Sequence, residues 1–362
     1  MLRLDVDRSL LEWAVARSGK SVTELSKKQD LGKLDGWLSG IIKPTRRQLE
    51  EFAKATYTPF GYLLLSEPPQ EQTSQILHFR TLGGDEPLCR SIDLEDTISI
   101  LEYRQEWMRE YLIDIGAEPL GFVGSSSVDD DPVAVSDKIK NALGLVPDWT
   151  SDYATWKDAQ QHLLEQVEGA RIFVSRNSMV QNNPHRRLDP EEFRGLVLVD
   201  DYAPFVFVNK ADVAGAQMFT LAHELAHVWM GESASFDLRG LAPDPNVKLE
   251  MVCNSIAAEF LVPAEEMLRR WDEFRGRSDD PYRAASDHFK VSLIVAARRA
   301  LDTGCISQGE FGKFYADYIS RETLMQQLKQ KGDPAPSVMA SYRVGRRFMK
   351  TVATAVRESR LL

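Results

Sequence analysis

The stretch FTLAHELAHVWM (219–230) places two of the chain's six histidines four residues apart around a glutamate. On an α-helix, positions i and i+4 lie one above the other on a single face, so His223 and His227 aim both imidazoles at one point with Glu224 beside them. Neutral imidazole is a common zinc ligand, and two on adjacent turns supply half of a tetrahedral site. A carboxylate next to the metal can take a proton from bound water, whose pKa zinc lowers to about 7. This is the H-E-x-x-H pattern of zinc peptidases, and the composition yields only roughly 0.007 copies of it by chance. The bland reading, a core helix whose histidines are merely hydrogen-bonded, is the weaker of the two.

A catalytic zinc usually takes three protein ligands plus water. Metzincin spacing would put glycine at position 230 and a third histidine at 233, where this chain has Met230 and Ser233. The third ligand is therefore expected to be a carboxylate from a later helix, and KLEMVCNSIAAEFLVP (248–263) offers Glu250 and Glu259. Nine residues separate them, about 180° around a helix, so both cannot face one metal. Glu250 shares its face with Asn254, which could hydrogen-bond a ligand histidine. Glu259 shares its face with Val252 and Ile256 and is suited to a local salt bridge. Glu250 is the expected ligand.

Those residues need a helix and a scaffold. Leu221, Leu225 and Val228 form an apolar stripe, Asn209 with Asp212 offers an N-cap, and Gly231 a stop. Before this helix, FRGLVLVDD and PFVFVNK read as strands joined by a short turn, a hairpin. An exposed edge of PFVFVNK could hold an extended substrate by strand addition, unless core packing claims it. Ala154–Val167 reads as helix and ARIFVS (170–175) as strand. Leu94–Ile115 reads as a long amphipathic helix, SEPPQEQTSQ (66–75) as a linker and GSSSVDDDP (124–132) as a flexible joint. From Lys248 onward the pattern is helical. Tyr202, His288 and Arg239 are oxyanion-stabilising candidates by residue type alone.

The chain of 362 residues carries a net charge of −10, 43% hydrophobic and 27% charged residues. That is an ordinary globular composition, with room for two or three domains, and the acidic balance argues against coating nucleic acid nonspecifically. No apolar run approaches the ~20 residues of a membrane span, and the amphipathic, acid-containing N-terminus is unlike a signal peptide. Cys89, Cys253 and Cys305 form no C-x-x-C. A reduced, cytoplasmic setting and no membrane partner are expected.

FTLAHELAHVWMG, followed by E-x-x-x-N in LEMVCNSIAAEFLVP, resembles the ImmA/IrrE family of bacterial zinc metallopeptidases. The resemblance covers roughly residues 150–270, hairpin included. It implies that His223, His227 and Glu250 bind Zn2+, that Glu224 is the general base, and that the substrate is a repressor-like or other regulatory protein. Residues 1–68 resemble an XRE-class helix-turn-helix, a head found fused to such peptidases, and so imply DNA as a partner through Lys33, Arg46 and Arg47. The segment QDLGKLDG, where base and phosphate contacts should sit, is about two residues short, glycine-broken and acidic, a poor major-groove probe. Residues 1–70 hold 11 Lys+Arg against 9 Asp+Glu, and packing or homodimerisation is the head's alternative role.

The end of the chain, 337–362, holds six Lys+Arg against one Glu, with Val344, Phe348 and Val352 spaced by four. A solvated helix face is the default for such a run. Some fused relatives resemble antitoxins paired with PIN-like ribonuclease toxins, whose acidic sites would accept Arg343, Arg346 or Arg347. The expected architecture is α+β and predominantly helical. It comprises a head (1–68), a helical connector (76–149), a zincin-like core with a small antiparallel sheet (150–275) and a helical C-terminal region (276–362). Three readings follow: a zinc endopeptidase of a regulator, an antitoxin, and a repressor using the peptidase fold as a sensor.

Overall fold

The computed structural model describes residues 3–69, 91–212, 214–236, 245–277, 280–328, 344–358 and 360. The chain divides into one unit of residues 1–75 with 89–96 and a second of 76–88 with 97–362. No helix is long and apolar enough to cross a membrane among the described residues.

In the first unit, α1 (Arg8–Arg17), α2 (Val22–Leu25), α3 (Leu34–Leu38) and α4 (Arg46–Ala55) surround a small core. Local signals set their starts. Ser21 accepts from the Glu24 amide, and Thr45 forms a reciprocal capping box with Gln48. Residues Gln29–Leu31 make one 3-10 turn, and α3 is only five residues long. Leu31, Leu34 and Trp37 are all buried, so this stretch is committed to packing. Lys33 is exposed, whereas Arg46 pairs with Glu50 at 2.9 Å and Arg47 with Asp30 at 3.6 Å.

The second unit is built on four strands: β1 (Phe173–Asn177), β2 (Gly195–Leu198), β3 (Phe205–Asn209) and β4 (Ala234–Phe236). Their order is β1-β3-β2-β4. The expected hairpin forms, with Leu196 opposite Phe207, but β1 joins β3 in parallel. The sheet is therefore mixed, not antiparallel. The long 178–194 excursion, with one 3-10 turn at Val180–Asn182, returns the chain to the far side of β3. Strand addition at PFVFVNK is also overturned, because β3 lies between β1 and β2 and every residue of it is buried.

Strand alternation gives the sheet two faces. Val174, Val197, Val206 and Val208 join one core with α6 (Pro132–Ala142), α7 (Trp156–Gly169), α8 (Ala214–Met230) and α9 (Pro245–Leu261). On the other face, Phe348 of α14 (Arg346–Arg357) packs edge-on against Phe205 and against Trp107 of α5 (Ile92–Asp114). Gln105 of α5 donates to the carbonyls of Leu198 and Ala203, fixing α5 on the hairpin. The remaining helices are α10 (Ala264–Arg277), α11 (Pro281–Phe289), α12 (Leu293–Asp302) and α13 (Gln308–Leu328).

Two local expectations change, and a third is untested. Asn209 ends β3, donating to the Phe193 carbonyl and accepting from the Ala211 amide, so it is not the cap of α8. The 124–132 joint is pinned: the Gly124 and Ser126 amides bond the Val228 and Trp229 carbonyls, and Asp131 caps α6. Those bonds satisfy carbonyls that a helix end otherwise leaves open. The 66–75 linker lies outside the described residues from position 70 onward.

Candidate metal centre

α8 starts on the sheet and runs through the middle of the second unit. Its apolar stripe is buried, and so are its polar members: His223, Glu224 and His227 are each 0% exposed. Burial of three polar side chains costs free energy unless something satisfies them.

The two imidazoles converge as i, i+4 geometry requires, Nε2 to Nε2 at 3.1 Å. α9 crosses α8 with Glu250 facing both rings, its oxygens 3.1 Å from His223 Nε2 and 3.3 Å from His227 Nε2. One turn on, Asn254 Oδ1 lies 3.1 Å from His223 Nδ1. An amide oxygen there accepts Nδ1–H and leaves Nε2 with its lone pair toward the centre. Burial lowers the pKa of His223. Burial also opposes ionisation of Glu250, but its contacts with the two imidazoles outweigh that and bring its pKa to about 2. An ionised carboxylate and neutral imidazole are the protonation states that ligate a metal.

The donor spacing tests the fit. Tetrahedral bonds of 2.0–2.1 Å put ligand atoms about 3.3 Å apart, and the three separations here are 3.1, 3.1 and 3.3 Å. His223 and His227 thus offer two nitrogens at zinc-like spacing, each facing a different oxygen of the Glu250 carboxylate.

Glu224 sits beside them with neither carboxylate oxygen hydrogen-bonded. Burial first, and the charge of Glu250 second, push its pKa well above the usual carboxylate range. Its carboxylate has room because β2 begins with glycine: a Cβ on Gly195 would stand 2.3 Å from Glu224 Oε1 and 2.5 Å from Thr220 Cγ2. Gly195 was not singled out by the sequence reading. The available signal was a glycine inside a strand pattern, which often marks close approach of another group.

Residues 168–301 match the family model of the IrrE N-terminal-like domain, Peptidase_M78. The match supports a metallopeptidase-type activity for this region. It spans the sheet, α8 and α9, and therefore the whole constellation; it excludes residues 1–167 and 302–362. No curated protein matches the chain.

The structure separates the other candidates from this centre. Glu259 points away, bound to Arg299 and to the Ala264 amide at 3.2 Å. Tyr202 lies in the β2–β3 turn, at the opposite end of β2 from Gly195. His288 is engaged elsewhere, 3.2 Å from Asp148. Neither is found in contact with His223, Glu224, His227 or Glu250, a placement that residue type alone could not give. Arg239 and Arg343 lie outside the described residues. Arg347 does not project outward for a partner: its guanidinium donates to the Glu168 and Gly169 carbonyls and lies over the Phe173 ring. Arg346 is nearest Glu165, at 3.5 Å. The basic tail's apolar spacing serves intramolecular docking, with Phe348 buried and Gly345 so close to β1 that a Cβ would lie 2.7 Å from the Val174 carbonyl.

Proposed function

We propose that this protein is a zinc-dependent endopeptidase that cuts a regulatory protein and is thereby coupled to transcriptional control. The observation that supports this most directly is the convergence of three ligand-type atoms beside a fully buried glutamate whose oxygens have no partner. Zinc held by His223, His227 and Glu250 would polarise a scissile carbonyl and acidify a water molecule. Glu224, whose carboxylate oxygens have no partner, accepts a proton from water on a carboxylate oxygen. It then carries the proton to the departing amine. Asn254 holds the His223 ring, and Gly195 keeps the space Glu224 occupies. The regulatory-protein substrate belongs to the same proposal.

A substrate trap tests it. Glu224→Ala protein, tagged and recovered from its native host, should retain zinc and a bound regulator that the wild type cleaves and the variant leaves whole. Equal cleavage by the two proteins would remove Glu224 from the reaction.

A further inference from the structure

A second recess lies on the sheet face away from α8. Its walls are α5 (Thr97, Ile100, Leu101, Arg104), the β1 end (Ser175, Asn177), the loop Met179–Asn182, Phe207 and Val344, around a cavity of about 40 Å³. A single water needs roughly 10–15 Å³ by the same measure, so the cleft has room for a small group larger than one water. Because Phe207 and Ser175 alternate with Val206 and Val174, this cleft and the Glu224 centre use opposite faces of the same strands. It is not a substrate subsite.

Its chemistry is uneven. One half is apolar, from Ile100, Leu101, Met179, Val180, Phe207 and Val344, and no aspartate or glutamate lines it among the described residues. The other half holds Arg104, a half-buried guanidinium with no acidic partner among the described residues; its recorded contact is the Phe348 ring, 5.9 Å away. Burial alone disfavours its charge, with no carboxylate to offset the effect. A cation withdrawn from water is ordinarily paired. At the rim, Gln181 and Asn182 are consecutive non-glycine residues with φ of 48° and 62°, backbone of the sort that clusters at ligand clamps.

We infer that this cleft binds a small organic anion, its carboxylate on Arg104 and its apolar body against Ile100, Phe207 and Val344. Arg104 supplies a planar fork matched to two carboxylate oxygens, while the apolar wall rejects a fully hydrated inorganic ion. The ligand would bridge α5, β1 and the residue leading into α14, so occupancy also bears on how α14 sits.

Isothermal titration calorimetry of the full chain with octanoate, benzoate and inorganic phosphate tests this. Saturable binding of a carboxylate probe is expected, with phosphate weaker. Arg104→Met should cost about tenfold to a hundredfold in affinity, the worth of a charged hydrogen-bonding partner, and Arg104→Lys less. Val344→Trp, which fills the cleft without touching the cation, should block binding while bound zinc is unchanged. Absence of saturable binding by both carboxylates, or equal binding by wild type and Arg104→Met, would overturn the site. Phosphate binding as tightly as octanoate would overturn the organic-anion assignment.

Discussion

Among the described residues, two groups of histidine and carboxylates occur in the second unit, His223–His227–Glu250 and His288–Asp148–Glu266, and in each the polar atoms lie close enough to ligate one ion. The second already contains a cation. Arg270 pairs with Glu266 and reaches Asp148 at 3.6 Å and Glu273 at 3.5 Å, and the side chains of His288, Asp148 and Glu266 retain 14%, 25% and 14% exposure. Its negative charge is balanced by protein and water. The first cluster has fully buried histidines, an ionised carboxylate and a second, unpartnered carboxylate beside it, with no arginine or lysine in contact among the described residues. Composition does not distinguish the clusters. The placement of positive charge does: where none is built in, the site is left for the ion that the proposed function assigns to it.

The most severe way to break this comparison is His227→Ala, which should abolish zinc retention measured by elemental analysis, whereas His288→Ala should leave one zinc per chain. The reverse result would exchange the roles of the two clusters. Next is the glutamate pair on α9. Glu259→Ala leaves Arg299 buried without its acid and should destabilise the fold by about 3–5 kcal/mol in denaturant titrations, yet keep zinc. Glu250→Ala should lose zinc. Zinc loss in Glu259→Ala alone would refute the ligand assignment.

A smaller effect is expected from Gly195→Ala. Its methyl group must displace the Glu224 carboxylate or the Thr220 side chain, and misplacement on this scale costs up to about a hundredfold in turnover. Zinc content should be unchanged, and cleavage at the wild-type rate would show that Glu224 has slack. The smallest effect sharpens the reading of the second cluster. Burial, above all, lowers the pKa of His288 below 6.5. A histidine held neutral in the fold contributes stability that is present above 6.5 and lost as pH falls through the depressed folded value. His288→Ala should therefore show a flatter decline of stability with falling pH in that window than the wild type. Identical slopes would mean that His288 does not titrate in the folded protein.

Much of the centre was legible because its geometry is short-range. A spacing of four puts His223 and His227 on one helical face whatever surrounds them, and a spacing of nine puts Glu250 and Glu259 on opposite faces of α9. The same local rule places Asn254 with Glu250. Capping chemistry likewise marked the starts of α2 and α4 through Ser21 and Thr45. These features depend on bonds and periodicities spanning fewer than ten residues, which the order of amino acids states directly.

Other features depended on where distant segments meet. The parallel pairing of β1 with β3 requires the chain to cross the sheet, and no residue type encodes that crossing. Gly195 matters only because α8 lies against β2, 29 positions away from Glu224 in sequence. Arg347 reads as a free basic residue until α14 docks it on the Glu168 carbonyl. Arg104 becomes distinctive only when packing removes its water without supplying an acid. The sequence by itself determined which side chains share a helical face and what chemistry they can perform together. Tertiary structure alone decided which of them are desolvated and which meet a compensating charge, because burial and ion pairing are properties of the assembled fold.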